Sequence, residues 1–161
     1  MNHNVFLYGT LKRGEPNEYV LRESKGNAQF ISTARTVEKF PLIIHTPYNV
    51  PFLLHSPGRG NRVFGELFAV DEDKLRELDK FERVPQLYQR TRADVERENG
   101  CRQRVWIYSV PSFKQELLEK RMLESYSSAG DHGLVLSPPE NVTDPGELDR
   151  LYEELAAILL P

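Results

Sequence analysis

The sequence predicts an α+β domain with a curved or barrel-like sheet flanked by helices. Three observations carry that prediction. Short apolar or alternating runs recur along the chain, each bounded by Gly, Pro or Asn. Two of the runs flank Asn99-Gly100, a strong hairpin turn pair. A third stretch, opening at Asp71, repeats with helical period instead. At 161 residues the chain fits one domain with a sizeable core, and no internal repeat or low-complexity segment interrupts it.

Taken in order, Asn4 to Tyr8 reads as a buried strand that breaks at Gly9, with a second glycine at Gly14. The break admits two readings. It is an ordinary strand exit in which glycine supplies a turn conformation, or it leaves successive backbone N–H groups pointing at a carboxylate or a developing oxyanion. Asn17 to Arg22 is expected to form a brief helical turn between Pro16 and Gly26, and Ala28 to Phe40 an imperfect strand. Pro41 to Ile44 and Phe52 to Leu54 are short apolar runs around a turn at Thr46 to Pro51, and Ser56 to Asn61 is a turn cluster. Arg62 to Val70 alternates, with Val63, Gly65, Leu67 and Ala69 on one side and Phe64, Glu66, Phe68 and Val70 on the other.

The helix that follows has Asp71 as N-cap, with Glu72 and Asp73 at the positive end of its dipole. Leu75 and Leu78 lie on one face, and Glu82, seven residues on from Leu75, falls on the same stripe before Pro85 closes the helix. A carboxylate held there is desolvated and sits at the negative end of the dipole, which raises its proton affinity into the range useful for proton transfer near neutral pH. The alternative is a frayed end with Glu82 in water. Asp79 is a second candidate buried acid, expected to hydrogen-bond the backbone.

Leu87 to Glu98 and Arg102 to Val110 form the hairpin, with Trp106 and Tyr108 on one face. Phe113 to Met122 is expected to be helical, with Phe113 and Leu117 inward. Ser125 to Gly133 is a polar loop carrying Tyr126 and His132, the histidine more readily a structural hydrogen-bonder than a catalyst. Leu148, Leu151, Leu155 and Leu159 stripe the tail from Asp144 to Leu160, which packs on the domain or serves a partner. The organisation expected is a domain over 1–141 and an amphipathic helical extension over 142–161.

Composition excludes several function classes. A net charge of −3 leaves no footprint for nucleic acid, and the arginines at 90, 92, 97, 102 and 104 are interleaved with acids, as on a solvated strand face. The single cysteine, Cys101, rules out an internal disulfide, and the four histidines have no ligand spacing, so no metal is expected. Neither a signal sequence nor a membrane span is legible, and a cytoplasmic monomer is expected.

Tyr8-Gly9-Thr10-Leu11-Lys12-Arg13-Gly14-Glu15-Pro16-Asn17 resembles the opening signature of the γ-glutamylcyclotransferase-like superfamily. Phe40-Pro41-Leu42-Ile43-Ile44, Asn49 to Leu54, Leu78-Asp79-Lys80-Phe81-Glu82, Leu87 to Thr91 and Asp131 to Leu134 follow in the family's order. The resemblance covers about residues 4 to 141 and is narrower toward the branch acting on γ-glutamylamines. It implies a small mixed barrel flanked by helices, and an enzyme without cofactor. In that chemistry the substrate's own α-amine attacks its γ-carbonyl, giving 5-oxoproline and a free amine.

By motif the catalytic glutamate falls on Glu82 and the binding loop on Tyr8, Gly9, Thr10 and Leu11. Val50, Phe52, Tyr88 and Tyr126 are implied as apolar and aromatic substrate contacts, and γ-glutamyl-ε-lysine as the substrate. Two features depart from the pattern. Ser127-Ser128-Ala129 stands where acidic residues are usual, which would weaken preference for a lysine amine, and the tail beyond Val142 has no counterpart. A cyclotransferase for other γ-glutamyl compounds, and a non-catalytic domain binding a small acid or a protein, are the alternatives.

Overall fold

The computed structural model describes residues 1–45, 48–134, 136, 150, 153, 154, 157, 159 and 161. Its centre is a closed five-stranded barrel. β1 (His3–Leu7) pairs antiparallel with β5 (Asn61–Val70), β5 with β2 (Ala28–Phe40), β2 with β6 (Gln89–Arg97) and β6 with β7 (Arg102–Ser109). β7 then meets β1 in parallel, Val5 opposite Trp106 and Phe6 opposite Ile107, which closes the ring and makes it mixed. A separate hairpin of β3 (Leu42–His45) and β4 (Val50–Leu53) is stitched to the barrel end by Leu53 and Val110. The first part of its expected turn, residues 46 and 47, lies outside the described residues.

Period-two alternation divides the core in two. Phe6, Val63, Leu67, Ala93, Val95, Val105 and Ile107 belong to one cluster, and their strand neighbours Val5, Leu7, Phe68, Val70 and Tyr108 to the other, with Leu75 and Leu78 of helix α2 (Glu72–Phe81). Gly65 shows why the first cluster is tight. A Cβ there would sit 2.5 Å from the Leu7 carbonyl oxygen and 2.6 Å from the Phe6 ring, so the ring occupies the space that a side chain would need. β2 spans 13 residues because it is bent, its register with β5 slipping after Phe30 and again after Arg35.

Helix α1 (Tyr19–Glu23) starts two residues later than the sequence implies. Its last carbonyls are held by Lys74, a fully buried lysine of α2 whose Nζ donates to Leu21 O at 2.7 Å, Ser24 O at 2.9 Å and Ser24 Oγ at 2.8 Å. Asp71 caps α2 as expected, accepting from the Lys74 N–H at 2.9 Å.

Two expectations are corrected. The segment 113–122 is a short 3-10 helix, Gln115–Glu119, and not a longer helix. No side chain caps it, and the residues after it are drawn out along the barrel by backbone bonds from Leu123 N–H to Leu42 O and from Phe64 N–H to Glu124 O. The β6–β7 hairpin turns at Asn99-Gly100 as expected, with Gly100 N–H donating to Arg97 O at Gly100 φ 85° and Arg97 N–H to Cys101 O, which leaves Glu98 to Gly100 as the loop. Asp79 bonds side chains, as described below.

Of the expected tail stripe, Leu148, Leu151 and Leu155 lie outside the described residues. Arg150, Glu153, Glu154, Ala157 and Leu159 are helical, and Leu159 is fully buried with its carbonyl accepting from Lys114 N–H at 2.8 Å. Arg102 pairs with Glu96 and Arg104 with Asp94 on a solvated face as expected, whereas Arg90, expected on that face too, is part-buried and bonds Asp79. Cys101 is exposed. Among the described residues no helix is long and apolar enough to cross a membrane, and no group of acids, histidines and cysteine has the arrangement to hold a metal.

Candidate active site

β1 ends at Leu7, and the chain turns through Gly9 and Thr10. The turn is braced from within. Lys12 N–H donates to Gly9 O at 3.2 Å, Asn17 N–H to Thr10 O at 2.9 Å, and the Asn17 amide to the Thr10 hydroxyl at 2.9 Å. Arg13 anchors the far side on the buried Glu66, through its N–H at 2.8 Å and its Nε at 2.9 Å. The N–H groups of Gly9, Thr10 and Leu11 donate to no acceptor among the described residues. The three residues line a cavity of about 510 Å³, which is compatible with the second reading of the glycine break.

Across that cavity stands the end of α2. The helix finishes in a Schellman arrangement: Val84 N–H reaches Asp79 O at 3.0 Å and Arg83 N–H reaches Lys80 O at 3.1 Å, with Arg83 at φ 54° and a cis Val84–Pro85 peptide beyond. Arg83 holds the left-handed position usually given to glycine, a conformation that costs a non-glycine residue on the order of 1 kcal/mol. Glu82 is the C-cap and donates its own N–H to Leu78 O at 2.9 Å, so the helix is not frayed there. Glu82 lines the cavity with only part of its surface in water. Burial, and after it the charge of Asp79, push its carboxyl up from 4.5 to about 8.

The remaining walls are aromatic. Tyr8, buried, donates its hydroxyl to the Tyr108 carbonyl at 2.7 Å. Its phenol is pushed well up, first by burial and then by the Glu82 charge, so it stays protonated. Tyr108 donates its hydroxyl to Asp79 Oδ1 at 2.7 Å and is likewise raised, by burial and by that hydrogen bond. Asp79 also accepts from Arg90, Nε at 2.8 Å and a terminal nitrogen at 3.1 Å. Tyr88 stacks on Phe52 with ring centres 6.0 Å apart and donates to Pro51 O at 3.2 Å, which fixes β4 as the apolar wall. At the rim are Tyr19, 48% exposed, and the paired charges of Glu77 and Lys80, 3.4 Å apart.

Of the sequence-predicted residues, Tyr8, Gly9, Thr10, Leu11, Val50, Phe52, Glu82 and Tyr88 all meet at this cavity. Tyr126 does not. It packs into the other core cluster, its ring 6.0 Å from the His132 ring, and borders a separate open groove with Ser125 and Ser127. Lys12 Nζ, from the near side of the binding loop, holds the Tyr126 carbonyl, and Glu15 accepts the Ser128 N–H at 2.8 Å. The loop Ser127-Ser128-Ala129 is thus tied to the binding turn through Glu15, and Ser127 borders the second groove, while Leu136 further along lines the cavity. His132 bridges its own loop, Nε2 with Ser127 O at 2.6 Å and Nδ1 accepting from Leu134 N–H at 2.8 Å, a structural role.

The sequence reading missed the set formed by Asp79, Arg90 and Tyr108. Two signals were present: Asp79 stands three residues before Glu82 on one helix face, and Arg90 and Tyr108 are directly opposite in the β6–β7 ladder.

A family model described as gamma-glutamyl cyclotransferase, AIG2-like, matches residues 5–128. Gamma-glutamylaminecyclotransferase of Homo sapiens is 45% identical over 149 residues, covering 85% of this chain and 97% of the human protein. Gamma-glutamylaminecyclotransferase C of Danio rerio is 44% identical over 138 residues, covering 82% of this chain and 91% of the fish protein. The crystal structure of an AIG2-like protein from Mus musculus superposes with a TM-score of 0.81 at 45% identity, covering 86% of this chain and 97% of that one. The match runs from within β1 to the loop after the 3-10 helix and takes in part or all of every barrel strand and all of the cavity lining except Leu136. The chain belongs to the AIG2-like gamma-glutamyl cyclotransferase family.

Proposed function

We propose that this chain is a γ-glutamylamine cyclotransferase, which releases an amine from a γ-glutamyl amide as the glutamyl part closes to 5-oxoproline. One observation carries the proposal. A carboxyl poised near neutrality, that of Glu82, shares an apolar-walled cavity with three undirected backbone N–H groups, those of Gly9, Thr10 and Leu11. The names of the relatives agree with it.

In this reading the glutamyl α-carboxylate or the carbonyl oxygen takes the N–H groups of the turn, and the α-nitrogen faces Glu82. A substrate α-ammonium beside Glu82 favours the carboxylate form, so binding draws the acid into its basic state. Glu82 accepts a proton as the α-nitrogen bonds to the γ-carbonyl carbon. It then returns that proton to the amide nitrogen as the carbon–nitrogen bond breaks, and the second proton shed by the α-nitrogen passes to the departing amine. The amine thus leaves as ammonium, the lactam nitrogen keeps one hydrogen and Glu82 is again a carboxylate, with no co-reactant consumed. The nucleophile is already tethered to its electrophile, so much of the acceleration comes from folding the glutamyl chain into the cavity, walled by Val50, Phe52 and Tyr88.

For the leaving amine we propose lysine attached through its side chain, the isopeptide of crosslinked proteins after digestion. Six bonds separate the γ-carbonyl carbon from the lysine α-carbon, an extended reach of about 7 Å. Glu82 and Glu77 are five residues apart along α2, an axial distance of about 7.5 Å. The lysine stem then runs over the apolar wall toward Tyr19, and its zwitterionic head meets one charge of each sign, Glu77 and Lys80.

Incubation of the purified chain with γ-glutamyl-ε-lysine, γ-glutamyl-alanine and glutathione, following 5-oxoproline by mass spectrometry, tests the reading. Turnover highest on the ε-lysine compound supports it. Preference for γ-glutamyl-alanine moves the assignment to a different leaving group, and silence on all three leaves a binding domain.

A further inference from the structure

Glu82 is not the only acid on the inward face of α2. Asp79 precedes it by three residues, so the two side chains are neighbours on the helix surface. Asp79 is also the most heavily bonded acid near the cavity. Its Oδ1 accepts from Arg90 Nε at 2.8 Å and from the Tyr108 hydroxyl at 2.7 Å, and its Oδ2 accepts from Arg90 at 3.1 Å. The Tyr108 carbonyl in turn holds the Tyr8 hydroxyl at 2.7 Å. One carboxylate therefore ties the last turn of α2 to β6 and β7, and through the backbone of β7 to the phenol at the end of β1. The cation is itself fixed. The Arg90 guanidinium lies 4.2 Å from the centre of the Trp106 ring, whose own surroundings include Arg92 at 3.7 Å. A planar, stacked, two-pronged donor of this kind has no equivalent in lysine.

The groups around Glu82 can be counted by element. From its own helix and the residue after it come Asp79, Glu77 and Lys80, which pair with each other at the rim, and Arg83. Tyr8 comes from just after β1 and Tyr108 from β7, both phenols held protonated, and Tyr19, Tyr48 and Tyr88 line the same cavity. β6 contributes Arg90, which bonds Asp79 directly. β4 presents only apolar side chains, Val50, Pro51 and Phe52. Inside the rim, then, Asp79 is the one other anion among the described residues, and Arg90 is its counter-ion. A fixed anion one helical turn from a second carboxyl resists the second ionisation, and a cation clamped on the first limits how strongly it does so.

We infer that Asp79 and Arg90 form a positioning pair for Glu82, holding the helix end against the cavity wall and setting, by their opposed charges, the pH at which Glu82 gives up its proton. Asp79 raises that pH and Arg90 lowers it. Neither touches substrate. The inference deepens the cyclotransferase reading of the site and rests on it for its kinetic readout.

The test compares Asp79→Asn, Arg90→Gln and Arg90→Lys with the native chain, each checked for folding by circular dichroism. The pH dependence of kcat/KM on γ-glutamyl-ε-lysine gives the first readout. NMR titration of the Glu82 carboxyl in protein labelled with ¹³C at glutamate carboxyls, without substrate, gives the second. Asp79→Asn is expected to move the Glu82 titration down by roughly one pH unit, and Arg90→Gln to move it up. Arg90→Lys, which keeps the charge and loses the fork, is expected to leave the titration near the native value while kcat falls. A merely structural pair would lower kcat in all three with one unchanged titration, and that result, or shifts of Asp79→Asn and Arg90→Gln in the same direction, overturns the inference. If Asp79→Asn does not fold, the contrast between Gln and Lys at position 90 decides alone. If the native chain shows no turnover, the NMR titration still tests the pair, so the two failures are told apart.

Discussion

Replacing Glu82 by glutamine should abolish chemistry and, at neutral pH and above, make the folded chain more resistant to unfolding. The Glu82 carboxyl is pushed from 4.5 to about 8 by burial and by Asp79. A folded-state value above the unfolded one means that the folded chain binds this proton more tightly. The contribution of Glu82 to stability is therefore most favourable below about pH 4.5, declines as pH rises toward 8, and is constant beyond. Each pH unit in that window costs about 1.4 kcal/mol, so the folded state has lost roughly 3 kcal/mol by pH 7, an upper figure because the cavity admits water. That is a large share of the 5–15 kcal/mol typical of a domain. Glutamine keeps the shape without the charge, but its own imperfectly satisfied amide costs about 1–3 kcal/mol, so the net gain at any single pH is modest. The slope escapes that correction. Urea unfolding of both proteins at pH 5, 6, 7, 8 and 9 should show the difference between Glu82→Gln and native growing by about 1 kcal/mol per unit from pH 5 to 8, then levelling. Other titrating groups are common to both chains and cancel. Two curves that stay parallel across this range would mean that Glu82 is solvated, and the argument for a poised base would fail with it.

Three further outcomes are expected. Gly65→Ala should destabilise the barrel by about 1–3 kcal/mol, read as a lower urea midpoint with unchanged m, because its Cβ would lie 2.5 Å from Leu7 O and 2.6 Å from the Phe6 ring; a neutral substitution would show that the barrel interior has slack. Lys74→Met should cost about 2–4 kcal/mol in thermal unfolding, since it strips the buried donor from Leu21 O, Ser24 O and the Ser24 hydroxyl, while a change below 0.5 kcal/mol would show those carbonyls finding water. Glu77→Gln combined with Lys80→Met should raise KM for γ-glutamyl-ε-lysine by about 3- to 10-fold and leave γ-glutamyl-butylamine, which lacks the zwitterionic head, unaffected. Equal effects on both substrates would remove the rim from the leaving-amine site.

Much of this site is written locally in the chain. The break of β1 at Gly9 and the placing of Glu82 each depend on a few adjacent residues: a glycine after an apolar run, and a carboxylate seven positions after Leu75 on a helix capped by Asp71. The alternation of Arg62 to Val70 put Val63 and Leu67 on one side and Phe68 and Val70 on the other, as the two core clusters have them, and the structure adds that Gly65 abuts the Phe6 ring. What escaped depends on pairing at long range. Tyr126 has the composition of a pocket aromatic, and only the path of the chain after the 3-10 helix takes it to the other cluster. The segment before it has helical period, but the chain leaves it through backbone bonds of Leu123 to Leu42 and of Glu124 to Phe64, partners far away in sequence. Asp79 looked like a backbone acceptor because the cations near it in sequence, Arg76, Lys80 and Arg83, project elsewhere on the helix. Its partner Arg90 comes into place through the ladder register, which the three-residue loop at Glu98 to Gly100 sets, and a loop shorter by one would put Arg90 on the wrong face.

The most direct test of the central claim is the production of 5-oxoproline from γ-glutamyl-ε-lysine by the native chain beside Glu82→Gln, both shown to be folded. The account predicts release of lysine and 5-oxoproline in equal amounts by the native protein and a loss of about 10²- to 10⁴-fold in the variant. Turnover in Glu82→Gln within tenfold of native would leave the reaction standing and contradict the role given to the residue on which the cavity is centred.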